Sequence, residues 1–153
     1  MIDDLLIDRL ARSAEHRPQA QLLLRFELTN AEAWMQSGGV ASWLIAQGFG
    51  PGALSLAVLA GDSPERAVLL LGALRAGALV VEVAGEAALV FIAREGQLAT
   101  SEGIAFATLA RCPVDAAVAE RRLNIRGDTP ARIMGGICRR HVDFATIDEV
   151  VAD

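Results

Sequence analysis

The spacing of apolar residues predicts two helices and a strand in the first third of the chain. Over residues 2–14 the apolar residues recur every three or four positions with charged residues between them, which is typical of an amphipathic helix. The short apolar run AQLLLRF, residues 20–26, predicts a strand. Glu32 follows Thr29 by three positions, a capping-box pattern that predicts the start of a second helix extending to about Gln47.

Two glycines interrupt the middle of this second predicted helix. Gly38 and Gly39 lower its intrinsic helix propensity, so we expect either a close contact with another backbone or a kink. Trp34 and Trp43 are about 180° apart around the same helix. We expect them to anchor two different surfaces rather than to stack on a cofactor.

A strand–helix–strand unit follows. The run ALSLAVLA, residues 53–60, predicts a buried strand, and ALVVEV, residues 78–83, predicts another. Between them, Ser63 is a good helix N-cap, Pro64 is tolerated at the first helical position, and Gly77 is a natural C-terminal stop. This order predicts a βαβ unit with parallel strands and a right-handed crossover.

The pattern changes in the second half of the chain. The runs AALVFIA and QLATS predict two strands joined by a turn at Glu95–Gly96. We expect a helix over residues 113–123 and a short strand over residues 131–134, with the loop RGDTP between them. At the end, Thr146 and Glu149 either cap a last short helix or belong to a frayed tail.

These elements predict a single α/β domain over residues 1–153, built as an open, mostly parallel sheet with a βαβ unit and flanking helices. The hydrophobic content of 53% and the charged content of 22% are typical of a globular chain long enough to bury a core. We expect the core to include Leu5, Leu10, Leu44, Leu56, Val58, Leu70, Leu74 and Val80.

Membrane, export and metal signals are weak. The longest apolar stretch, residues 67–83, is interrupted by an arginine, so we expect no transmembrane helix. Asp3 and Asp4 stand where a signal peptide would carry basic residues, so the expected location is cytoplasmic. Cys112 and Cys138 lack metal-type spacing, and we expect two thiols in a reducing compartment without a metal site.

The charge of the chain limits its partners. The net charge of −5 argues against general nucleic-acid binding, although residues 111–141 carry seven arginines against three acidic residues. This basic segment is either a solvated face with internal salt bridges or a site for an anion or an acidic partner. All fourteen basic residues are arginine. Any mechanism that needs a lysine is therefore excluded for this chain acting alone.

Four segments in the first half of the chain are similar, in order, to those of one enzyme superfamily. They read HRPQAQL, LTNAEAW, WLIAQGFGPGALSLAVL and GDSPERAVLLLGALRAGALVVEV. Together they resemble the N-terminal subdomain of the adenylate-forming superfamily, which includes acyl-CoA synthetases, the adenylation domains of non-ribosomal peptide synthetases, and luciferases. The resemblance is strongest over residues 5–83, whereas residues 84–153 diverge. It implies an α/β fold and an ancestry in the ATP-dependent activation of carboxylic acids.

The phosphate-binding loop of that superfamily is not retained. Its pattern, TSGTTGxPKG, lets glycines and hydroxyls wrap a triphosphate. The closest stretch is residues 128–144, in which Gly135, Gly136 and His141 resemble remnants, but the serine–threonine core and the PKG end are missing. The chain then stops at Asp153. The resemblance thus implies a truncated, degenerate subdomain without catalytic residues, and we expect no ATP or AMP to bind to it alone.

The basic segment supplies the candidate binding residues. Its Gly-Gly pair, followed by guanidinium groups and an imidazole, is either a phosphate site or an ordinary turn beside a basic surface. The candidate anion- or partner-binding residues are Gly135, Gly136, Arg139, Arg140, His141, Arg121, Arg122 and Arg126. In the alternative, Arg139 and Arg140 pair internally with acidic residues of the tail, which are Asp143, Asp148 and Glu149.

A catalytic pair in the same segment is disfavoured. Cys138 and His141 are three residues apart, so on one helix they would approach each other as a nucleophile and a base. No orienting group or oxyanion site accompanies them, and we predict no catalytic residue.

These observations favour a non-catalytic binding or assembly protein, derived from the N-terminal subdomain of an acyl-adenylating enzyme and acting in an acyl-activation or carrier-protein pathway. A truncated subdomain is expected to expose apolar surface. The expected partners are a second copy, a ligase fragment or an acyl carrier protein, with no nucleic acid and no membrane. Two alternatives remain: half of a split ATP-dependent acyl-CoA or acyl-AMP ligase completed in trans, and a stand-alone small-molecule or nucleotide binder that uses residues 135–141.

Overall fold

A computed structural model of the protein describes residues 4–152 and gives them an α/β fold. The helices are α1 (Leu6–His16), α2 (Asn30–Ala46), α3 (Pro64–Ala76), α4 (Phe106–Ala110), α5 (Ala116–Asn124) and α6 (Ile147–Val151). The strands are β1 (Ser55–Leu59), β2 (Leu79–Val80), β3 (Leu89–Arg94), β4 (Gln97–Thr100), β5 (Pro130–Met134) and β6 (Ile137–Arg140). Short 3-10 turns lie at Ala84–Glu86 and His141–Asp143.

The strands form one sheet in the order β4-β3-β1-β2-β5-β6. The four central strands are parallel to their neighbours, and an antiparallel hairpin strand is added at each edge, β4 on β3 and β6 on β5. The open, mostly parallel sheet expected from the sequence is therefore confirmed, and so is the β1–α3–β2 unit within it. No helix in residues 4–152 is long and apolar enough to cross a membrane.

Local signals set both ends of α3. The Ser63 hydroxyl accepts a hydrogen bond from the Arg66 amide at 3.1 Å, Pro64 occupies the first turn, and Gly77 ends the helix with a φ of 76°. Most of the helix is buried because it lies between the sheet and α2. Each expected core residue is buried except Val58, which is half-buried.

Helix α2 begins as expected, since Thr29 and Glu32 cap it reciprocally at 3.1 Å. The helix runs unbroken to Ala46, so the two glycines in its middle do not kink it. They mark the other alternative, a close approach of another backbone. A Cβ placed on Gly39 would lie 2.8 Å from the carbonyl oxygen of Cys112 and 2.9 Å from that of Ala110. The chain that leaves α4 therefore packs directly on the backbone of α2.

The strand expected over residues 20–26 is wrong. The segment forms a compact loop whose backbone bonds to itself and to the start of α2: Leu22 donates to Leu28 at 2.8 Å, and Asn30 donates to Ala20 at 2.8 Å. Only one isolated bridge, between Gln21 and Thr29, has strand character. Its apolar residues do not share one buried face.

Several boundaries also differ from the sequence-based expectations. Residues 2 and 3 of the first predicted helix lie outside the described part of the chain. The helix expected from residue 113 begins at Ala116, because the Asp115 carboxylate caps it by accepting from the Ala117 amide at 3.0 Å. The expected strand over residues 78–83 is reduced to β2, and α4 and β6 were not expected. At the end, the capped-helix alternative is confirmed, since Thr146 caps α6.

Candidate functional site

The Gly-Gly pair of the basic segment is the turn of the β5–β6 hairpin. Gly135 and Gly136 have φ values of 58° and 77°, a left-handed pair that a two-residue hairpin turn requires and that favours glycine. Both residues are exposed, and the Gly135 amide donates a hydrogen bond to the Glu82 carboxylate. A carboxylate of the chain itself therefore already engages the amide that a phosphate would need.

Arg139 and Arg140 follow this turn and bind the tail of the chain. Arg139 Nη2 donates to the Asp143 carbonyl at 2.6 Å and to Glu149 Oε2 at 3.1 Å, with its guanidinium 4.5 Å from the centroid of the Phe144 ring. The Arg140 amide donates to Asp143 Oδ2 at 2.8 Å, and its side chain lies 3.4 Å from the same oxygen. These contacts correspond to the internal-pairing alternative for the two arginines.

The pairing lowers the pKa values of the acidic partners. Hydrogen bonds from the Arg140 amide and side chain lower the pKa of the Asp143 carboxyl, and the hydrogen bond from Arg139 lowers the pKa of Glu149. The third acidic residue of the tail, Asp148, instead pairs with Arg25 at 2.6 Å.

The other three candidate arginines do not converge on one site. Arg121 Nη1 donates to the Phe49 and Ala76 carbonyls at 2.7 and 2.6 Å, so it satisfies a carbonyl at the end of α3. Arg122 donates to both Asp8 oxygens at 2.8 and 2.6 Å, which joins α5 to α1. Arg126 is exposed, and its side chain makes no hydrogen bond or ion pair with the residues that the structure describes. The candidate residues are thus spread over several separate contacts.

His141 is part of the core. It is 2% exposed, its amide donates to the Thr129 carbonyl at 3.0 Å, and its Nε2 has no hydrogen-bond partner in the described chain. Burial lowers its pKa to about 4, and the positive charge of Arg122 contributes in the same direction. Cys138 is exposed on strand β6, whereas His141 is buried. The two residues therefore do not lie on one helix, which the considered nucleophile–base pair would require.

Two arginines that were not among the candidate site residues, one buried and one half-buried, lie at the carboxyl ends of the central strands. Open α/β sheets generally bind ligands at this edge. Here Arg66, which is 3% exposed, donates to the Val151 and Ala152 carbonyls, and Arg132 donates to the Val150 carbonyl. The end of α6 therefore occupies this edge, beside a cavity of about 250 Å³. The sequence signal was weak: Arg66 directly precedes an apolar run, and Arg132 interrupts the short run of β5.

The face of the sheet that points away from α3 is a further candidate surface. Side chains alternate between the two faces of a strand, and the strand register fixes which of them lie together. The other four helices each contact α2 or α3, which places the helices on the opposite side of the sheet. We call this surface the open face; it consists of Ala57, Leu59, Leu79, Val90, Ile92, Ala99, Ala131, Ile133 and Cys138.

The open face is apolar and partly exposed. Leu59 is 45% exposed, Cys138 is exposed, and Val90, Ile92 and Ile133 are half-buried. The polar side chains that point the same way lie at the strand ends; they are Ser55, Arg94 and Gln97. The β2–β3 connection touches one end, where Ser55 Oγ donates to the Glu86 carbonyl at 3.0 Å. The middle of this face therefore carries no charge, which suits it to contact with another apolar surface.

Comparisons with solved structures find a similar fold, whereas comparisons of sequence do not find a match. No protein-family model matches the chain, and no curated protein matches it. A solved structure with a similar fold is the fatty acyl-adenylate ligase from L. pneumophila in complex with acyl adenylate and pyrophosphate. The match has a TM-score of 0.57 and 17% sequence identity, and it covers 85% of this chain but 27% of the ligase chain. The two proteins therefore share a fold over a part of the ligase.

Proposed function

We propose that this chain is a binding and assembly protein that does not adenylate carboxylic acids by itself, and that another polypeptide covers its open face. The observation that carries this proposal is the apolar, uncharged middle of that face. Exposed apolar patches of this kind mark interaction sites in soluble proteins.

The strand sequences support a covered face. Sheets with parallel strands are normally buried on both sides, and their strands then have continuous apolar sequences. Residues 56–59 of β1 and residues 89–93 of β3 are continuous apolar runs of this type. The helices cover only one face of β1 and β3. The continuous apolar runs are better explained if another polypeptide covers the second face.

The proposed biochemical context rests on the shared fold and on the resemblance of residues 5–83 to the adenylate-forming superfamily. It is an acyl-activation or carrier-protein pathway, in which a second copy, a ligase fragment or an acyl carrier protein is the partner. The absence of lysine from the chain favours a role without catalysis.

A change of charge in the middle of the open face tests the proposal. We expect wild-type protein to self-associate as its concentration rises, and Ile92→Glu to remain monomeric, because the carboxylate would lose its water in the interface. Sedimentation equilibrium measures the mass of both. Leu24→Glu is the matched control, since Leu24 is 95% exposed on the loop before α2 and should leave the association unchanged. A wild-type chain that stays monomeric at all concentrations contradicts self-association through this face.

A second candidate function is half of a split ligase. The coverage of 27% of the ligase chain favours it, because a further chain would then have to supply the remaining fold. In that case the open face binds a chain of different sequence, and activity appears only in the mixture.

A further inference from the structure

A groove of about 660 Å³ lies between α2, α4 and the chain that follows α4. Met35, Phe106, Ala110 and Val114 give it an apolar lining. Met35 is 61% exposed and Val114 is 51% exposed, so apolar surface here faces solvent. The volume falls within the range of sites that bind small molecules. The groove shares no residue with the open face.

Among the described residues that line the groove, Arg111 is the one with a charge. It is exposed and makes no hydrogen bond or ion pair within residues 4–152. A guanidinium group next to apolar surface offers planar donors to an acidic oxygen while the apolar wall excludes water from the contact.

A second positive charge lies close behind the wall of the groove. Arg75 is 5% exposed, and its Nη1 donates to the Trp34 carbonyl at 2.6 Å and to Ser37 Oγ at 3.0 Å. Its guanidinium stacks 3.5 Å from the centroid of the Trp34 ring. A Cβ on Gly38 would lie 2.8 Å from Val114 and 3.1 Å from Arg75 Nη1, so both side chains pack on the same residue.

This buried charge has no acidic partner in the described chain. All of the acceptors of Arg75 are neutral, and burial lowers its pKa to about 10. A buried cation without a counter-charge is unfavourable, and its field is poorly screened by solvent. The groove therefore has positive potential from two arginines, although the chain as a whole has a net charge of −5.

We propose that this groove binds a small apolar anion, with its apolar body between α2 and α4 and its acidic group at Arg111. The apolar lining recognises the body, and the two positive charges select an anion over a neutral or cationic molecule of the same shape. This site is separate from the basic residues of the β5–β6 hairpin and does not depend on assembly through the open face.

Two fluorescent probes with similar aromatic bodies test the site. Anilinonaphthalene sulfonate (ANS) carries one anionic group, and phenylnaphthylamine carries none. Trp34 contacts Arg75, which lies behind the wall of the groove. A Trp43→Phe variant leaves Trp34 as the one tryptophan of the chain, so energy transfer from Trp34 reports a probe in the groove. We expect saturable transfer from Trp34 to ANS, and an ANS affinity that falls as NaCl rises from about 0.05 to 0.5 M. The affinity for phenylnaphthylamine should not change with salt.

Variants then locate the site. Arg111→Gln should weaken ANS about three- to fivefold, the range of an exposed charge pair, and leave phenylnaphthylamine unchanged. Arg126→Gln removes the same charge from an exposed arginine elsewhere and should have no effect. Met35→Glu should weaken both probes because it puts a carboxylate on the apolar wall.

Other results would overturn the proposal. Equal weakening of ANS by Arg111→Gln and Arg126→Gln would mean that the probe senses only the overall charge. Loss of the energy-transfer signal in Ile92→Glu, with Met35→Glu behaving as wild type, would place the probe on the open face instead. An absence of saturable transfer from Trp34 to ANS would exclude the site.

Discussion

His141 is a buried imidazole for which protonation opposes folding. It is 2% exposed, and its pKa falls from 6.5 to about 4 in the folded chain. Below pH 6.5 the unfolded chain binds a proton that the folded chain still excludes. The free energy of unfolding therefore decreases as the pH falls, until the folded imidazole is also protonated near pH 4.

We expect the folded state to lose up to about 3 kcal/mol between pH 6.5 and pH 4 from this residue, the equivalent of its pKa shift. Urea unfolding at a series of pH values measures the loss. A His141→Leu variant should show a smaller dependence on pH over this window. Asp8, whose pKa is lowered chiefly by its hydrogen bonds with Arg122, adds a further loss as its carboxylate is protonated below its ordinary pKa of 3.8. Equal stability of the wild-type protein at pH 7 and pH 5 would contradict this assignment.

At the scale of an element, the contact of α2 with the end of α4 depends on a missing side chain. The carbonyls of Leu109, Ala110 and Cys112 lie 2.8 to 2.9 Å from the position of a Cβ on Gly39. These are backbone atoms, which cannot move aside as a flexible side chain can. The glycine lowers the helix propensity of α2 and in return allows the close packing.

Gly39→Ala should therefore lower the free energy of unfolding by about 1–3 kcal/mol, the usual cost of overpacking, even though alanine is the better helix former. Gly61→Ala is the control, because a Cβ there meets no atom within 4 Å and the backbone has no left-handed φ. It should be neutral or stabilising by about 0.5 kcal/mol through the unfolded state. Urea denaturation compares the two variants. A Gly39→Ala protein as stable as wild type would show that α4 is held less closely.

At the scale of the whole molecule, the chain has the fold of part of a ligase and no lysine. We expect the 153-residue chain to show no acid-dependent ATP–pyrophosphate exchange above a protein-free blank. Catalysis of this type needs positive charge positioned at the reacting phosphate, and here several of the candidate arginines bind carbonyls and carboxylates of the chain. Exchange by the chain alone would contradict the proposed function. Exchange only after mixing with a chain that supplies the remaining ligase fold would favour the split-ligase alternative.

Local sequence signals determined much of the fold. The caps at Thr29 and Ser63 and the stop at Gly77 act within a single helical turn, so they predicted α2 and α3 closely. Continuous apolar runs predicted β1 and β3. For the Gly-Gly pair, the sequence left two interpretations, a phosphate site or an ordinary turn, and the structure has the turn.

Only the tertiary structure decided where the charges and the irregular apolar segments lie. Arg122 bonds to Asp8, 114 positions away, and Arg66 bonds to carbonyls at the end of α6. Residues 20–26 are as apolar as a strand, yet no neighbouring strand meets them and they fold back on themselves. Caps and hydrophobic periods depend on neighbours in sequence, so a chain reveals them directly. The partner of a guanidinium, or the covering of an apolar surface, depends on which distant segments the fold brings together.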